Sequence, residues 1–145
     1  MEGTLKAGND MAKYLLDTDT CIELFKHNGK VLDKILEVGQ ENCFVSEISI
    51  AELFYGAAKS GQQKHFNDIS FILQSFELIP LFPSLRVYGT CKAELEKQGM
   101  RIEEFDLLIG SCALFNNFVV VTSNVKHFNH IPNLLIEDWA EKTII

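Results

Sequence analysis

The stretch KYLLDTDTCIEL, residues 13–24, places two aspartates one residue apart at the end of a short apolar run. The run predicts a buried strand, and Asp17 and Asp19 follow its carboxyl end. Taken alone, the stretch fits a nucleophilic aspartate, one part of a metal site, or the cap of a helix. The choice among these depends on which acids the rest of the chain brings beside Asp17.

The rest of the chain alternates short apolar runs with amphipathic segments. Strands are predicted at 13–16, 42–46, 78–82, 118–122 and 134–136, and helices at 19–27, 30–39, 49–60, 62–76, 84–98 and 106–115. Strands separated by helices need crossover connections, so the sequence predicts an α/β fold, a three-layer α/β/α sandwich with a central, mainly parallel sheet. The unbroken apolar run at 118–121 fits a strand that is buried on both faces.

The composition is that of one globular domain. With 145 residues, of which 47% are hydrophobic, the chain is large enough for a core, and we expect a single domain at 11–145 after a flexible extension at 1–10. The extension lacks the apolar region of a signal peptide, and no apolar run is long enough to cross a bilayer. The four cysteines form no Cys-x-x-Cys pair, which favours free thiols in a reducing compartment. We therefore expect a cytoplasmic protein without membrane contact.

The net charge of −7 argues against a broadly nucleic-acid-binding surface. Acids gathered in a metal site, however, lower the net charge and are neutralised by the cation they bind. Basic residues near the motifs, namely Lys59, Lys64, Arg101, Lys126 and His127, form either a local phosphate track or a scatter of solubilising charges.

Polar residues follow two of the predicted strands. Asp17 comes after the first, and Thr122 and Asn124 come at the end of a later one. In a parallel sheet, ligands bind beyond the carboxyl ends of the strands, near the switch in strand order. These side chains are therefore predicted to face one crevice, where Thr122 positions the loop.

Three further acids each have a structural interpretation beside a functional one. Ser49 and Glu52 have the spacing of a capping box, but the apolar neighbours of Glu52 also suggest a buried acid that needs a partner. Asp106 opens an apolar helix, where it would serve as a cap or project a carboxylate from the middle of the protein. For Asp19, the helix cap is the favoured interpretation, with a supporting role beside a site as the alternative.

Four stretches, in order and with matching separations, resemble one family: YLLDTDTCIELF, SEISIAELFYGA, LEKQGMRIEEFDLLIGSCAL and VVVTSNVKHFNHIPNLLIEDW. They are similar to those of PIN-domain ribonucleases, specifically the VapC-type toxins of type II toxin–antitoxin pairs. The resemblance runs from about residue 11 to residue 139 and implies a PIN-like fold. By position, it implies that Asp17, Glu52 and Asp106 bind a divalent metal. The fourth motif often supplies another acid, and here that position is Asn124.

The resemblance also implies the chemistry. We expect an endoribonuclease, dependent on Mg²⁺ or Mn²⁺, that cuts single-stranded or loop RNA and leaves a 5′-phosphate. Asp17 and Asp106 would be direct ligands, while Glu52 would bind through water or help to remove a proton. Asn124 would contact a water at the metal or the phosphate. Carboxylates that converge raise one another's pKa, and a cation removes that cost.

The implied partners are RNA, a cognate antitoxin and a second copy of the chain. A homodimer, and a hetero-oligomer with an antitoxin whose C-terminal segment covers the acidic groove, are both expected from the resemblance. Five aromatic residues either line such surfaces or belong to the core, the latter being favoured for most of them: Phe54, Tyr55, Phe66, Phe71 and Phe76.

Two other functions remain open. Asp17 and Asp19 are similar to the motif of haloacid dehalogenase-type phosphatases, with Asp17 as nucleophile, although Cys21 occupies the Thr/Val position and no later pair of adjacent acids follows a strand. The other alternative is a catalytically inactive PIN-like binding module, which Asn124 keeps open.

Overall fold

A computed structural model of the protein describes residues 12–141 and contains five strands and seven helices in this range. The predicted extension at 1–10 lies outside the described residues. In chain order the elements are β1 Tyr14–Leu16, α1 Thr18–Phe25, α2 Gly29–Val38, β2 Cys43–Ser46, α3 Glu47–Ser60, α4 Gln63–Ser75, β3 Glu77–Ile79, α5 Leu85–Lys97, α6 Glu104–Asn116, β4 Val119–Val121, α7 Val125–Phe128 and β5 Ile136–Glu137. Short 3₁₀ turns occupy Gln40–Asn42 and Phe82–Ser84.

The five strands form one parallel sheet in the order β3-β2-β1-β4-β5. The chain moves outward from β1 through β2 to β3 and then returns to the other side of β1 for β4 and β5. The strand order therefore switches between β1 and β4. Leu15 of β1 lies opposite Val120 of β4, so the two strands end side by side.

Helices cover both faces of the sheet. Successive residues of a strand point to opposite faces. Leu16 accordingly packs in a core with residues of α1 to α4, whereas Leu15 packs in a second core with residues of α5, α6 and α7. The predicted three-layer α/β/α sandwich is confirmed, and its sheet is entirely parallel.

The apolar helix α6 approaches its neighbours closely, as its small residues suggest. A Cβ atom added at Gly110 would lie 2.5 Å from Ile131 Cδ1. Ser111 satisfies its buried hydroxyl by donating to the Leu107 carbonyl at 2.7 Å. This packing buries most of α6 and leaves the end that carries Asp106 at the edge of the sheet.

The element boundaries differ from the prediction in three informative places. The helix α7 was not predicted, because a helix of four residues is too short to show a hydrophobic period. The last strand lies at Ile136–Glu137, shifted from 134–136. The helix α6 begins at Glu104, and Glu103 rather than Asp106 is its N-cap, its carboxylate accepting from the Asp106 N–H. In residues 12–141, no helix is long and apolar enough to span a bilayer.

The start of α3 also differs, and it corrects the interpretation of Glu52. The chain passes directly from β2 into α3, and Ser46 is the N-cap, its Oγ accepting from the Ser49 N–H at 3.2 Å. The predicted capping box of Ser49 and Glu52 is therefore wrong, because both residues lie within the helix. The Ser49 hydroxyl is buried and has no hydrogen-bond partner in the described structure.

Alanine substitution at Ser46 and at Ser49 should change the free energy of unfolding in different ways. Replacing Ser46 with alanine should lower the free energy of unfolding by about 1 kcal/mol, because the buried Ser49 N–H loses its acceptor. Replacing Ser49 with alanine should be neutral or stabilising, since it removes a buried hydroxyl that bonds to nothing. Urea denaturation of the two variants measures the difference. A greater loss for Ser49→Ala would contradict the assignment of the cap.

Candidate active site

Asp17 is the residue at which β1, β4 and α1 meet. Its N–H donates to the Val121 carbonyl at 2.9 Å, which extends the pairing of β1 with β4 by one residue. Its Oδ1 accepts from the Thr18 N–H at 2.8 Å and caps α1, and its Oδ2 accepts from Thr122 Oγ1 at 2.8 Å. Asp17 is only 5% exposed. Its carboxylate is thus held at the carboxyl end of the central strand.

The predicted helix cap at Asp19 is wrong, because Asp17 takes that role. The backbone of Asp17 is extended, as a capping residue requires, and α1 begins at the next residue. Asp19 lies in the first turn of α1, and its Oδ2 accepts from the Ser123 N–H at 3.0 Å. Asp19 therefore connects α1 to the loop between β4 and α7.

That loop is organised by Thr122, as the sequence predicted. The Thr122 side chain is fully buried, and its Oγ1 donates to Asp17 Oδ2 and accepts from the Asn124 N–H at 2.9 Å. One hydroxyl therefore connects the buried acid to Asn124 and directs the loop towards the cleft.

Glu52 reaches the same cleft from α3. Its Oε1 accepts from Thr18 Oγ1 at 2.5 Å, a contact between α3 and the start of α1. Thr18 was not predicted, because a threonine next to an aspartate gives no sign in the sequence of a partner 34 positions away.

Asp106 completes the cleft from the first turn of α6. Its Oδ2 lies 3.1 Å from Asn124 Nδ2 and 3.2 Å from His127 Nδ1. His127 was considered from the sequence only as a phosphate contact, and its place beside Asp106 was not predicted. The available signal was its spacing from Asn124, since residues three apart share a helix face, but α7 itself was not predicted.

The sequence-predicted residues Asp17, Glu52, Asp106 and Asn124 all line one cleft of about 390 Å³, together with Thr18, Asp19, Ile22 and Ser123. Of the basic residues considered for a phosphate track, His127 contacts Asp106 of the cleft, whereas Lys59, Lys64 and Arg101 do not line it. Arg101 borders a different pocket, between α5 and the start of α6, and Lys59 lies over the ring of Tyr55. Lys64 borders a larger groove beside the cleft.

The acids of the cleft are difficult to ionise together. Burial, followed by the charges of Asp19 and Asp106, raises the pKa of Asp17 to about 7, although hydrogen bonds from Thr122 and Thr18 oppose the shift. Burial is also the main cause that raises the pKa values of Asp19, Glu52 and Asp106. Within residues 12–141, no lysine or arginine forms an ion pair with these four carboxylates.

The larger groove, of about 660 Å³, runs between α1, α3 and α4. Its floor is mostly apolar and includes Phe25, Leu53 and Ile69, and it shares Thr18, Ile22 and Glu52 with the acidic cleft. The aromatic residues divide between surface and core. Phe54, Tyr55 and Phe71 are exposed, whereas Phe76 is buried and Phe66 packs against the core.

Comparison with known proteins agrees with this architecture. The family model described as PIN domain matches residues 14–134. Ribonuclease VapC2 of Rickettsia felis is 35% identical over 130 residues, which cover 87% of this chain and 97% of the relative. The tRNA(fMet)-specific endonuclease VapC of Salmonella typhimurium is 30% identical over 132 residues, or 90% of this chain and 100% of the relative.

A solved structure shows the same fold. VapBC2 from Rickettsia felis, bound to a DNA fragment from their promoter, contains a chain that superposes with a TM-score of 0.81 at 34% identity. The superposition covers 87% of this chain and 98% of that one. Since both the family model and close relatives span nearly the whole described sheet, the chain belongs to the PIN-domain family and, within it, to the VapC ribonucleases.

Proposed function

We propose that this protein is an endoribonuclease that hydrolyses RNA phosphodiester bonds with the help of a divalent metal, Mg²⁺ or Mn²⁺, and acts as the toxin of a toxin–antitoxin pair. One observation carries the proposal. Acids from three separate parts of the chain, Asp17 with Asp19, Glu52 and Asp106, meet in one cleft where parallel strands end. Relatives along the whole domain are ribonucleases by name, one of them specific for a tRNA.

The donor set suits a hard divalent cation. Carboxylate oxygens are ligands that Mg²⁺ and Mn²⁺ accept readily, and the raised pKa values of these acids show that positive charge would stabilise their ionised forms. In residues 12–141, no three Asp, Glu, His or Cys side chains are already gathered around one point. Asp17 and Asp106 line the same cleft, which supports direct binding by both, with Glu52 acting through water or after turning away from Thr18.

When bound, a divalent ion lowers the pKa of water and offsets charge on a phosphate group. Glu52 would accept a proton from the water that attacks the phosphorus atom. Asn124 would orient that water or donate from its amide to a phosphate oxygen. Thr122 keeps the Asp17 carboxylate directed into the cleft. Cleavage of the bond to the 3′-oxygen would leave a 5′-phosphate on the other product.

The phosphatase alternative is not favoured. The family model that matches the chain is that of the PIN domain, and the relatives along its whole length are named as ribonucleases. The second aspartate of that motif, Asp19, is bonded to the Ser123 N–H rather than placed beside a leaving group. The inactive binding module is also disfavoured, because the relatives are named as ribonucleases.

An antitoxin and a second copy of the chain are the proposed protein partners, and the cytoplasm is the proposed location. Structural neighbours that are VapBC complexes support the antitoxin. The apolar groove between α1, α3 and α4 fits a bound antitoxin segment, since it opens into the acidic cleft at Glu52 and Thr18. A segment in this groove would cover the acids and block RNA.

The central prediction concerns Asp17. Purified protein should cut RNA with Mg²⁺ or Mn²⁺ and stop when a chelator is added. Asp17→Asn should lower the cleavage rate about a hundredfold or more, since it removes a charged metal ligand. Asp33→Asn, which changes an exposed aspartate of α2, is the matched control and should retain activity.

Gel analysis of a cellular RNA pool, with 5′-end chemistry determined on the products, measures this outcome. Metal-dependent cleavage that persists in Asp17→Asn would remove Asp17 from the site. Absence of cleavage by folded, antitoxin-free protein with either metal would favour the inactive binding module.

A second prediction follows from the raised pKa of Asp17. A carboxyl whose pKa in the folded protein is raised to about 7, above its ordinary value of 3.8, binds its proton more tightly when the protein is folded. The free energy of unfolding of metal-free protein should therefore fall as the pH rises from about 4 to above 7. Above that pH, Asp17 is ionised in both the folded and the unfolded state, and the loss does not increase further. Relative to Asp17→Asn, the wild type should lose roughly 3 kcal/mol between pH 5 and pH 8.

Chemical denaturation in chelator, at several pH values, measures this difference. Added Mn²⁺ should restore stability to the wild type at pH 8 and have little effect on Asp17→Asn. Asp33→Asn should follow the wild type. A difference between wild type and Asp17→Asn that does not change with pH would show that Asp17 is ionised normally in the folded protein.

A further inference from the structure

A carboxylate, an amide and an imidazole meet at the side of the cleft formed by α6 and α7. The amide nitrogen of Asn124 lies 3.1 Å from Asp106 Oδ2 and 2.9 Å from His127 Nδ1. His127 Nδ1 in turn lies 3.2 Å from Asp106 Oδ2, so the three atoms form a triangle. His127 belongs to the short helix α7, where Asn124 is the N-cap residue, whereas Asp106 belongs to α6. The catalytic scheme above assigns no role to His127.

No arrangement of hydrogens satisfies this triangle while Asp106 is ionised. If His127 Nδ1 carries a hydrogen, it can donate to Asp106, but it then faces the N–H groups of Asn124. If Nδ1 carries its lone pair, it can accept from Asn124, but it then faces the carboxylate. If the Asn124 amide is reversed, its oxygen accepts from Nδ1 but faces Asp106 Oδ2. Each assignment leaves one close contact between two donors or two acceptors.

The spacing of the three atoms is that of neighbouring ligands around one ion. Adjacent ligands of an octahedral ion with bonds of about 2.0–2.1 Å lie about 2.9 Å apart. The observed separations of 2.9 Å to 3.2 Å fall within a few tenths of that value. If the amide is reversed, Asn124 Oδ1 faces inward, and the triangle presents two oxygens and one nitrogen to a cation. Each of the three atoms then directs a lone pair at the cation, so no contact between two donors or two acceptors is left uncompensated.

We propose that His127 Nδ1 and the Asn124 side-chain oxygen join the carboxylates of Asp17 and Asp106 in binding the divalent metal of this protein, and that the nitrogen ligand makes the site favour Mn²⁺ over Mg²⁺. The inference rests on the proposed metal-dependent function and specifies its ion. Mg²⁺ prefers oxygen ligands and retains its waters, whereas first-row transition metals gain more from an imidazole.

The surrounding contacts hold the two α7 ligands in place. Thr122 fixes the backbone of Asn124 through its N–H, and Asp19 fixes Ser123. Asn124 and His127 are three positions apart, a spacing that brings two side chains to one helix face. The His127 side chain is 54% exposed, whereas that of Asp106 is 14% exposed, so an ion can reach the triangle from solvent.

Pulsed electron paramagnetic resonance of the full-length, antitoxin-free protein with Mn²⁺ tests the ligand directly, because a bound imidazole nitrogen modulates the electron spin echo. Calorimetric titrations with Mn²⁺ and with Mg²⁺ provide the affinities. We expect nitrogen modulation in the wild type and at least about tenfold tighter binding of Mn²⁺ than of Mg²⁺. His127→Gln should abolish the modulation and weaken Mn²⁺ binding roughly tenfold.

His127→Glu is the complementary variant. It should also remove the nitrogen modulation, but its carboxylate should restore metal binding and narrow the preference for Mn²⁺, since oxygen then replaces nitrogen. His130→Gln changes another exposed histidine three positions further along the chain and should behave as the wild type. This control excludes non-specific binding of Mn²⁺ to surface imidazoles.

Two results would overturn the inference, and RNA cleavage assays on the same samples distinguish them. If the wild type binds Mn²⁺ and cuts RNA but shows no nitrogen modulation, His127 is not a ligand and the proposed nuclease stands. If the wild type binds neither metal and cuts no RNA with either, the proposed function fails together with the inference.

Discussion

The hydrogen bond between Thr122 and Asp17 connects the ends of the two strands between which the strand order switches, and the cleft depends on it. Asp17 also caps α1 and bonds to the backbone of β4, so one buried carboxylate determines how a strand, a helix and a loop meet. Because Thr122 in turn accepts from the Asn124 N–H, the position of Asn124 follows from that of Asp17. Loss of this interaction would loosen the whole edge of the sheet.

Gathering acids at this edge of the sheet destabilises the fold, and burial of apolar side chains in the two cores offsets that cost. Leu15 and Leu16 are fully buried on opposite faces, and the helices packed against them hold Glu52 and Asp106 near Asp17 despite their mutual repulsion. The pKa values of Asp17, Glu52 and Asp106 are raised, mainly by burial, in keeping with that cost. A group that brings positive charge into the cleft stabilises the fold by mass action as well as enabling chemistry. Sites of this kind are less stable than they would be with neutral residues.

Under the proposed function, binding of a protein partner in the apolar groove would affect access to the acidic cleft. The apolar groove and the acidic cleft share Thr18, Ile22 and Glu52. Since Thr18 holds Glu52 by a side-chain hydrogen bond, a segment bound in the groove would contact the same pair that the cleft uses. Occupation of the groove and access to the acids are therefore not independent.

The sequence by itself determined the fold class and most of the site. Apolar runs and helical periods indicated all five strands and six of the seven helices, and the positions of Asp17 and Asn124 after strands placed them at one sheet edge. Local patterns left the roles of Glu52 and Asp106 open, and the PIN-family resemblance assigned both to the metal site. These features could be predicted because they depend on local patterns and on the geometry common to parallel sheets.

Only the tertiary structure decided which polar groups pair. A cap was expected at Asp19 and was one of two interpretations at Ser49 and Asp106, but Asp17, Ser46 and Glu103 take those roles. A helix begins where the preceding strand or loop ends, and tertiary structure decides that position. The contacts of Thr18 with Glu52 and of His127 with Asp106 join residues that are 34 and 21 positions apart. No local pattern specifies such pairs, since they are set by how the helices pack on the sheet.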